Sequence, residues 1–397
     1  MSVLTINAGS SSIRFAFYGS GTDPAKLEYG KIERIGESGA TFEVSAAPGK
    51  APARVALEAG SFRAAVESLL KWLESQPHFA EVTAVGHRVV HGMTHTEPAR
   101  VTPRLLEELR AAIPYDPEHL PQEIEFIETL GRRFPRLEQV ACFDTAFHRT
   151  MPRVATIVPI PRRYESKGVR RYGFHGLSYT FLLQELRRLG DRAGEQGRVI
   201  LAHLGNGASV AAVRDGRSID TSMAFTPAAG LPMSTRSGDL DPGVLIFLAS
   251  SESRDAASLQ KLVNHESGLL GISETSSDVR DLLAREREDV RAAEAIEVFC
   301  YQTKKWIAAF AGALGGLDTL VFAGGIGENS APIRARVCAG LQFIGLELDE
   351  PRNREHAPLI SSAASRVAVR VIPTDEESVI ARMTAETLAR PPQGVEA

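Results

Sequence analysis

Two short Gly/Ser turns, each set between apolar strands, are the residues of this chain best suited to hold an anion. The first lies in Leu4-Thr-Ile-Asn-Ala-Gly-Ser-Ser-Ser-Ile-Arg-Phe-Ala-Phe17 and the second in Val199-Ile-Leu-Ala-His-Leu-Gly-Asn-Gly-Ala-Ser-Val-Ala-Ala-Val213. Glycines and small hydroxyl residues let successive backbone N–H groups converge on one oxyanion with no Cβ in the way. A third turn, Gly324-Gly-Ile-Gly-Glu-Asn329, leads from a strand into a helix, where the N-terminal N–H groups favour phosphate. Gly-rich turns before helices are common loop chemistry, so the third alone is weak; beside the two hairpins it gains weight. None matches G-x-x-x-x-G-K-[ST], which disfavours a P-loop fold. Two related halves holding a polyphosphate predict a phosphotransferase.

Charged side chains in unusual settings complete the chemistry. Arg88 interrupts the apolar run Val85-Gly-His-Arg-Val-Val-His91, and Arg236 sits in Pro232-Met-Ser-Thr-Arg-Ser-Gly-Asp-Leu-Asp241. A buried guanidinium needs an anion for its planar donors, either an internal carboxylate or a bound ligand, and two such arginines favour the ligand. Asp144 closes the strand Gln139–Phe143, and Glu376 lies in Ile372-Pro-Thr-Asp-Glu-Glu-Ser378. Such carboxylates suit Mg²⁺, which takes only one or two from the protein; for Glu376 a helix N-terminal acid is the alternative reading. His175, between Phe174 and Gly176, is placed to hydrogen-bond a transferring phosphoryl oxygen, or is structural. His87, His91 and His95 have the spacing of helical metal ligands, but in a strand that spacing is about 13 Å, so no zinc is assigned.

The elements that must position these residues read as two successive α/β patterns. Residues 1–60 alternate apolar and polar positions between Gly-rich turns, a run of strands. Helical stripes follow at Ser61–Gln76 (Ala64, Ala65, Leu69, Leu70, Trp72) and after Pro103 (Leu105, Leu106, Leu109, Ile113). The pattern restarts near residue 150, with a strand at Val154–Ile160, a helix at Ser178–Leu189 and the second hairpin. A helix at Val290–Leu314, apolar on overlapping faces, suits burial between layers or subunits. A strand at Thr319–Ala323 precedes the third glycine turn, and a strand at Val367–Ile372 precedes a last helix. The expected domains are 1–150, joined by the helix at about 376–390, and 151–375, with 391–397 a frayed tail.

At 397 residues the length suits two or three domains, and 45 basic against 49 acidic side chains leave a net charge of −4. No dense Lys/Arg block marks a nucleic-acid partner. Cys142, Cys300 and Cys338 are scattered, as in a reducing compartment. The N-terminus lacks signal-peptide features and no window reaches membrane-span length, so no membrane partner and a cytoplasmic location are expected.

The motifs together resemble the acetate/propionate/butyrate kinase family along essentially the whole chain. The resemblance rests on Asn7-Ala-Gly-Ser-Ser-Ser12, Gly86-His-Arg-Val-Val-His-Gly92, Phe143-Asp-Thr-Ala-Phe-His148, Arg171-Tyr-Gly-Phe-His-Gly176, His203-Leu-Gly-Asn-Gly207, Asp220-Thr-Ser-Met223, Gly325-Ile-Gly-Glu-Asn329 and Ile372-Pro-Thr-Asp-Glu-Glu377. It implies an α/β fold of two duplicated actin-like ATPase (ribonuclease H-like) domains around a central cleft, and a homodimer built largely through the second domain. It implies reversible, Mg²⁺-dependent transfer of the ATP γ-phosphoryl group to acetate, giving acetyl phosphate and ADP, with Mn²⁺ an alternative ion. Carried over by position, Asn7 and Glu376 would hold the metal, and Arg88 and Val90 would bind the small carboxylate. Asp144, His175 and Arg236 would be catalytic. Arg14, His203, Leu204, Gly205, Asn206, Gly207, Asp278, Val279, Arg280, Gly325, Ile326, Gly327, Glu328 and Asn329 would contact the nucleotide.

Three departures bear on specificity. Arg14 stands where the family usually has Lys, Ser234 where it has Gly, and Pro114-Tyr-Asp-Pro117 where it has Leu-His-Asn-Pro beside the acyl pocket. One methylene in such a pocket is worth only about 1–3 kcal/mol, so propionate or another short-chain acid is the alternative acceptor. Pyrophosphate is a rival donor. From another class, a nucleotide-dependent switch without turnover is disfavoured by the presence of both Arg88 and Arg236.

Overall fold

The computed structural model describes residues 1–9, 12–21, 24–36, 39–47, 49–57 and 60–391. Ser10 and Ser11 of the first glycine turn, and the tail from 392, lie outside the described residues. The chain divides into two compact units, one of Met1–Ala146 with the stretch from Asp375, the other of Phe147–Thr374.

The first unit holds eight strands: β1 (Ser2–Ala8), β2 (Ser12–Tyr18), β3 (Lys26–Glu33), β4 (Thr41–Ser45), β5 (Ala53–Arg54), β6 (Val82–Val89), β7 (Ala99–Arg100) and β8 (Glu138–Phe143). They form one sheet in the order β5-β4-β3-β2-β1-β6-β8-β7. The period-two side-chain alternation sends Leu4 and Ile6 of β1 to one face and Val3 to the other. On the first face lie α1 (Phe62–Glu74), started by Ser61 accepting from the Ala64 N–H at 3.2 Å, and part of a later helix. Ala65, Leu69, Leu70 and Leu73 of α1 pack there with Phe15, Phe17, Phe42 and Phe126. Next come α2 (Pro103–Ala112) and α3 (Leu120–Arg133), which bury Leu105, Leu109, Leu120, Ile124 and Ile127 against Val89, Ala141 and Phe143. The opposite face is covered by the C-terminal helix, Glu376–Ala389. Its approach requires a glycine in β6: a Cβ on Gly86 would stand 2.2 Å from Thr384 Oγ1 and 2.5 Å from an Ile380 methyl.

The second unit holds β9 (Arg198–Leu204), β10 (Ala208–Arg214), β11 (Arg217–Thr221), β12 (Thr319–Ala323) and β13 (Ala368–Val371), in the order β11-β10-β9-β12-β13. Its helices are α4 (Arg153–Thr156), α5 (Gly176–Arg188), α6 (Pro242–Ser251), α7 (Ala256–His265), α8 (Gly268–Ser273), α9 (Val279–Arg285), α10 (Val290–Leu314), α11 (Gly324–Asn329), α12 (Ala331–Cys338) and α13 (Glu350–Arg354). Leu182, Leu183 and Leu186 of α5 pack on Val199, Leu201, Val213 and Val321. The 25-residue α10 buries Ala295, Ile296, Phe299, Ile307 and Phe310 and leaves Val290 and Tyr301 exposed.

Both sheets contain the same five-strand core. In β3-β2-β1-β6-β8 and in β11-β10-β9-β12-β13, the first three strands pair antiparallel and the last three parallel. The echo between the two glycine hairpins is therefore an echo of whole sheets.

Two expected elements differ. Val154–Ile160 is not a strand: Arg153–Thr156 form the single turn α4, and Val154 is 83% exposed. Pro159 denies the segment a ladder donor, and its apolar Val154, Ile157 and Ile160 stand exposed. The glycine turn at 324–329 is itself a helix, α11, rather than a loop leading into one. Gly324 starts it at φ +75°, where a Cβ would meet the Leu204 backbone at 2.7–3.0 Å.

Candidate active site

In the first unit, three adjacent parallel strands deliver their carboxyl ends together. Register pairs Ile6 with His87 and Val89 with Phe143, so Asn7, Arg88 and Asp144 come off β1, β6 and β8 side by side. Open α/β sheets place their sites at such strand ends. Arg88 Nε and Nη2 donate to Asp144 Oδ2 at 3.0 and 2.6 Å, and Nη1 donates to Asn7 Oδ1 at 3.3 Å. Asn7 Nδ2 donates to Glu376 Oε2 at 2.8 Å, which brings the first turn of the C-terminal helix into the group. The internal ion pair considered for Arg88 is thus present, with Asp144 as its partner.

The electrostatics are those of two guanidinium groups, Arg88 and Arg14, among several acids. Burial opposes the charge of Arg88, but Asp144, Glu376 and Glu123 overcome it and its pKa is raised. Desolvation holds Glu376 above the ordinary carboxylate range, Asp144 adds to this, and Arg88 and Arg14 oppose it. Burial, with Glu376 beside it, also pushes Glu377 up. Arg14 pairs with Asn7 across the β1–β2 hairpin, and its charge reaches both Glu376 and Glu377. The structure therefore places Arg14 with the acidic group of the first unit.

These residues fit a hard divalent cation. Asn7 meets Glu376 Oε2 through its Nδ2 and turns its Oδ1 to Arg88, and the buried Glu377 Oε1 has no hydrogen-bond partner among the described residues. Oxygen donors with surplus negative charge are what Mg²⁺ takes, and such an ion would offset the burial, with the added repulsion from Asp144, that raises Glu376.

In the second unit, His175 is buried at the start of α5 with a left-handed backbone, φ 59°. Its Nδ1 lies 2.9 Å from Ser209 Oγ, and its ring stacks on His203 with centroids 4.3 Å apart. His203 Nδ1 is held by Ser178 Oγ at 2.8 Å. Between β9 and β10 the turn Gly205-Asn206-Gly207 closes with Gly205 N–H donating to Gly207 O at 3.0 Å. A Cβ on Gly207 would sit 3.2 Å from His175 Nε2 and 3.7 Å from Arg236 Nη1, so His175, Arg236 and this turn converge. Ser234 N–H donates to Asn206 O at 3.3 Å, tying the Arg236 loop to the same turn. Leu204 is fully buried behind it.

The other expected nucleotide residues divide. Gly325, Ile326, Gly327, Glu328 and Asn329 form α11 against β9, beside the Gly205 turn. Glu328 is turned inward, with Oε1 accepting from the Gly324 and Thr374 N–H groups at 2.8 and 3.1 Å. Asp278 caps α9 by accepting from the Arg280 N–H at 2.8 Å and pairs with the Arg280 guanidinium at 2.6 Å. Val279 is buried, and α9 packs on α10.

Sequence reasoning missed three residues that hold the site. His148 accepts from or donates to Ser218 Oγ at 2.8 Å and Phe174 O at 3.0 Å, bracing the chain just before His175. Arg334 is wholly buried, and its donors reach Gly327 O and Glu328 O, both at 2.9 Å, at the carboxyl end of α11. Glu123 accepts from the Val90 N–H. Only His148 carried a signal, as the last residue of Phe143-Asp-Thr-Ala-Phe-His148.

Two α/β units of one strand order, with a carboxylate-rich group at the strand ends of one and glycine turns gathered in the other, define a phosphotransferase of the actin-like ATPase class. The chain belongs to the acetokinase family, whose model matches residues 2–382. It is 44% identical to an acetate kinase of Methylocella silvestris, with 96% of each chain covered, and 42% identical to one of Rhizobium meliloti, with 98% and 99% covered. Among solved structures it resembles the acetate kinase of Porphyromonas gingivalis, TM-score 0.85 at 36% identity, with 98% and 99% covered. It also resembles a propionate kinase of Francisella tularensis, TM-score 0.89 at 36% identity, with 97% and 99% covered.

Proposed function

We propose that the chain is an acetate kinase, transferring the γ-phosphoryl group of ATP to acetate and back from acetyl phosphate to ADP. The observation that carries this reading is the meeting of Arg88, Asp144, Asn7 and Glu376 at adjacent strand ends. A guanidinium fork matches the planar acceptor carboxylate, and the oxygens of Asn7 and Glu376 suit Mg²⁺.

Acetate is ionised at neutral pH, so its oxygen attacks phosphorus without a base. The protein's work is to align the reactants and neutralise charge on the equatorial oxygens. Arg88 orients the carboxylate beside Val90. Asn7 and Glu376 would hold the ion, which would supply charge neutralisation for the phosphates, and Asp144 fixes Arg88 beside them. His175 and Arg236 donate to the phosphoryl oxygens. The Gly205–Gly207 turn, α11 and Asp278–Arg280 hold the nucleotide.

The working form we propose is a cytoplasmic homodimer. Among the described residues no helix is long and apolar enough to cross a membrane. The helix α6, Pro-Gly-Val-Leu-Ile-Phe-Leu-Ala-Ser-Ser, buries no residue within the chain, and its Ile246 and Phe247 are each 67% exposed. An apolar face of this kind fits a second copy.

The reading is tested by initial rates of acyl phosphate formation, trapped with hydroxylamine, for acetate, propionate and butyrate with Mg-ATP and with pyrophosphate. Acetate with ATP is expected to give the highest kcat/KM. A higher value for propionate would move the assignment to the longer acid, and no acyl phosphate from any pair would overturn it.

A further inference from the structure

The helix α3 breaks its own pattern at one position. Leu120, Ile124, Ile127 and Leu130 form the apolar stripe expected of a helix packed on a sheet, and Glu123 occupies the same stripe, only 3% exposed. A carboxyl group in such a slot costs stability unless it is satisfied, and a local rule broken in a core marks a functional constraint. Both of its oxygens lie against one donor, the N–H of Val90, at 3.2 and 3.1 Å. Val90 follows the last residue of β6, so its N–H lies past the sheet ladder and needs another acceptor. It also follows Arg88 by two residues, the repeat that returns side chains to the same face of an extended chain.

The surroundings of Glu123 concern the same subsite. Asp116 and Arg88 are its main charged neighbours, with Asp144 beyond them, and burial first, then Asp116, raises its pKa well above the carboxylate range. Asp116 Oδ1 lies 2.9 Å from His119 Nδ1, while the buried His91 Nδ1 accepts from the Met93 N–H at 3.0 Å and feels Asp116. The stretch Pro114–Pro117, where this chain departs from its relatives' usual pattern, thus carries a buried acid of the same group.

We infer that Glu123 is a positioning residue of the acceptor subsite: by gripping the Val90 amide it fixes the end of β6, and with it the presentation of Arg88 and Val90 to the substrate carboxylate. This rests on the acyl kinase reading, but its structural half does not. Glu123→Met keeps the length and removes both acceptors, and Glu123→Gln keeps one acceptor without charge.

Two measurements on the full chain decide it. Hydrogen exchange of the segment spanning Val90 is expected to quicken in Glu123→Met and to stay near wild type in Glu123→Gln, whatever the enzyme's substrate. The KM for acetate is expected to rise about tenfold in Glu123→Met, the scale of one buried hydrogen bond, with kcat and the KM for ATP within about twofold and Glu123→Gln restoring the wild-type value. Unchanged exchange in Glu123→Met, or Glu123→Gln failing as badly as Glu123→Met, would overturn the clamp. A general loss, with the KM for ATP and kcat changed as much as the KM for acetate, would make Glu123 a mere core residue and equally overturn it. Wild-type protein that forms no acyl phosphate would sink the kinase reading, while the exchange experiment still judges the clamp.

Discussion

At the scale of single residues, the site is organised by how buried charges are matched. Asp144 is wholly buried, and its Oδ2 receives two donors of Arg88. On the proposed reading acetate needs no general base, so Asp144 would act by holding Arg88 and the surroundings of the ion. Asp144→Asn keeps the size and an acceptor oxygen but removes the charge. It is expected to lower kcat about a hundredfold, the weight of one preorganised electrostatic contact, and to raise the Mg²⁺ concentration for half-maximal rate. Full turnover in that variant at every Mg²⁺ concentration would show that the charge of Asp144 is dispensable. Arg88 and Asp144 stood out because each sits where sequence chemistry is out of place, a cation in an apolar run and an acid at a strand end; Glu376 could equally be read as a helix N-terminal acid, and Asn7 was named only through the family resemblance. Glu123 was not legible, because an acid in a helix reads as a solvated face until the partner helix and strand are known. Glu328 was legible as part of a glycine turn, yet its inward carboxylate depends on Thr374, 46 residues away.

At the scale of elements, β6 and the residues just after it carry Arg88 and two buried imidazoles, His87 and His91. His87 is braced by Gln139 Oε1 at 2.7 Å, and burial lowers its pKa to about 4; burial lowers that of His91 to about 4 as well, against the opposing charge of Asp116. Unfolded histidine titrates near ~6.5, so between that value and ~4 the unfolded chain binds more protons than the folded one. Stability from these two groups is therefore complete above about pH 6.5 and is lost progressively toward about pH 4, at most about 3 kcal/mol for each. Urea unfolding at a series of pH values across this window should show the fall, and a His87→Asn, His91→Asn double variant should flatten it. A wild-type unfolding free energy that stays level over the window would refute the assignment. Helix and strand identities were mostly legible from periodicity: α10 spans the expected Val290–Leu314. The segment Val154–Ile160 misled because alternating apolar residues suggest a strand even when a proline breaks the ladder and Val154, Ile157 and Ile160 face outward.

At the scale of the whole molecule, the α/β class with a repeated sheet was legible from two hairpins of like chemistry, because a tight glycine turn between apolar runs constrains its own neighbours. Strand order was not, since pairing of β1 with β6 and β8 depends on contacts far apart in sequence. Assembly was read only through resemblance, and α6 gives it a physical test. Phe247→Glu puts a charge on the most exposed part of an apolar helix. Sedimentation is expected to give a dimer for wild type and a monomer for the variant, with little change in the far-UV spectrum. A wild-type monomer, or a variant that remains dimeric, would remove α6 from the interface.

One face of the first unit's sheet is closed by a helix that follows its strands at a long distance in sequence. Glu376 and the residues that cover Gly86 belong to this helix, while the sheet they complete is made from residues up to Phe143. During synthesis the ribosome releases the strands carrying Asn7, Arg88 and Asp144 long before Glu376 exists. A nascent chain that has not yet reached Glu376 therefore carries Asn7 Nδ2 without its Glu376 acceptor and leaves bare the face of β6 that Ile380 and Thr384 will cover. The sheet must wait more than two hundred residues of synthesis, from Phe143 to Glu376, for the helix that covers that face.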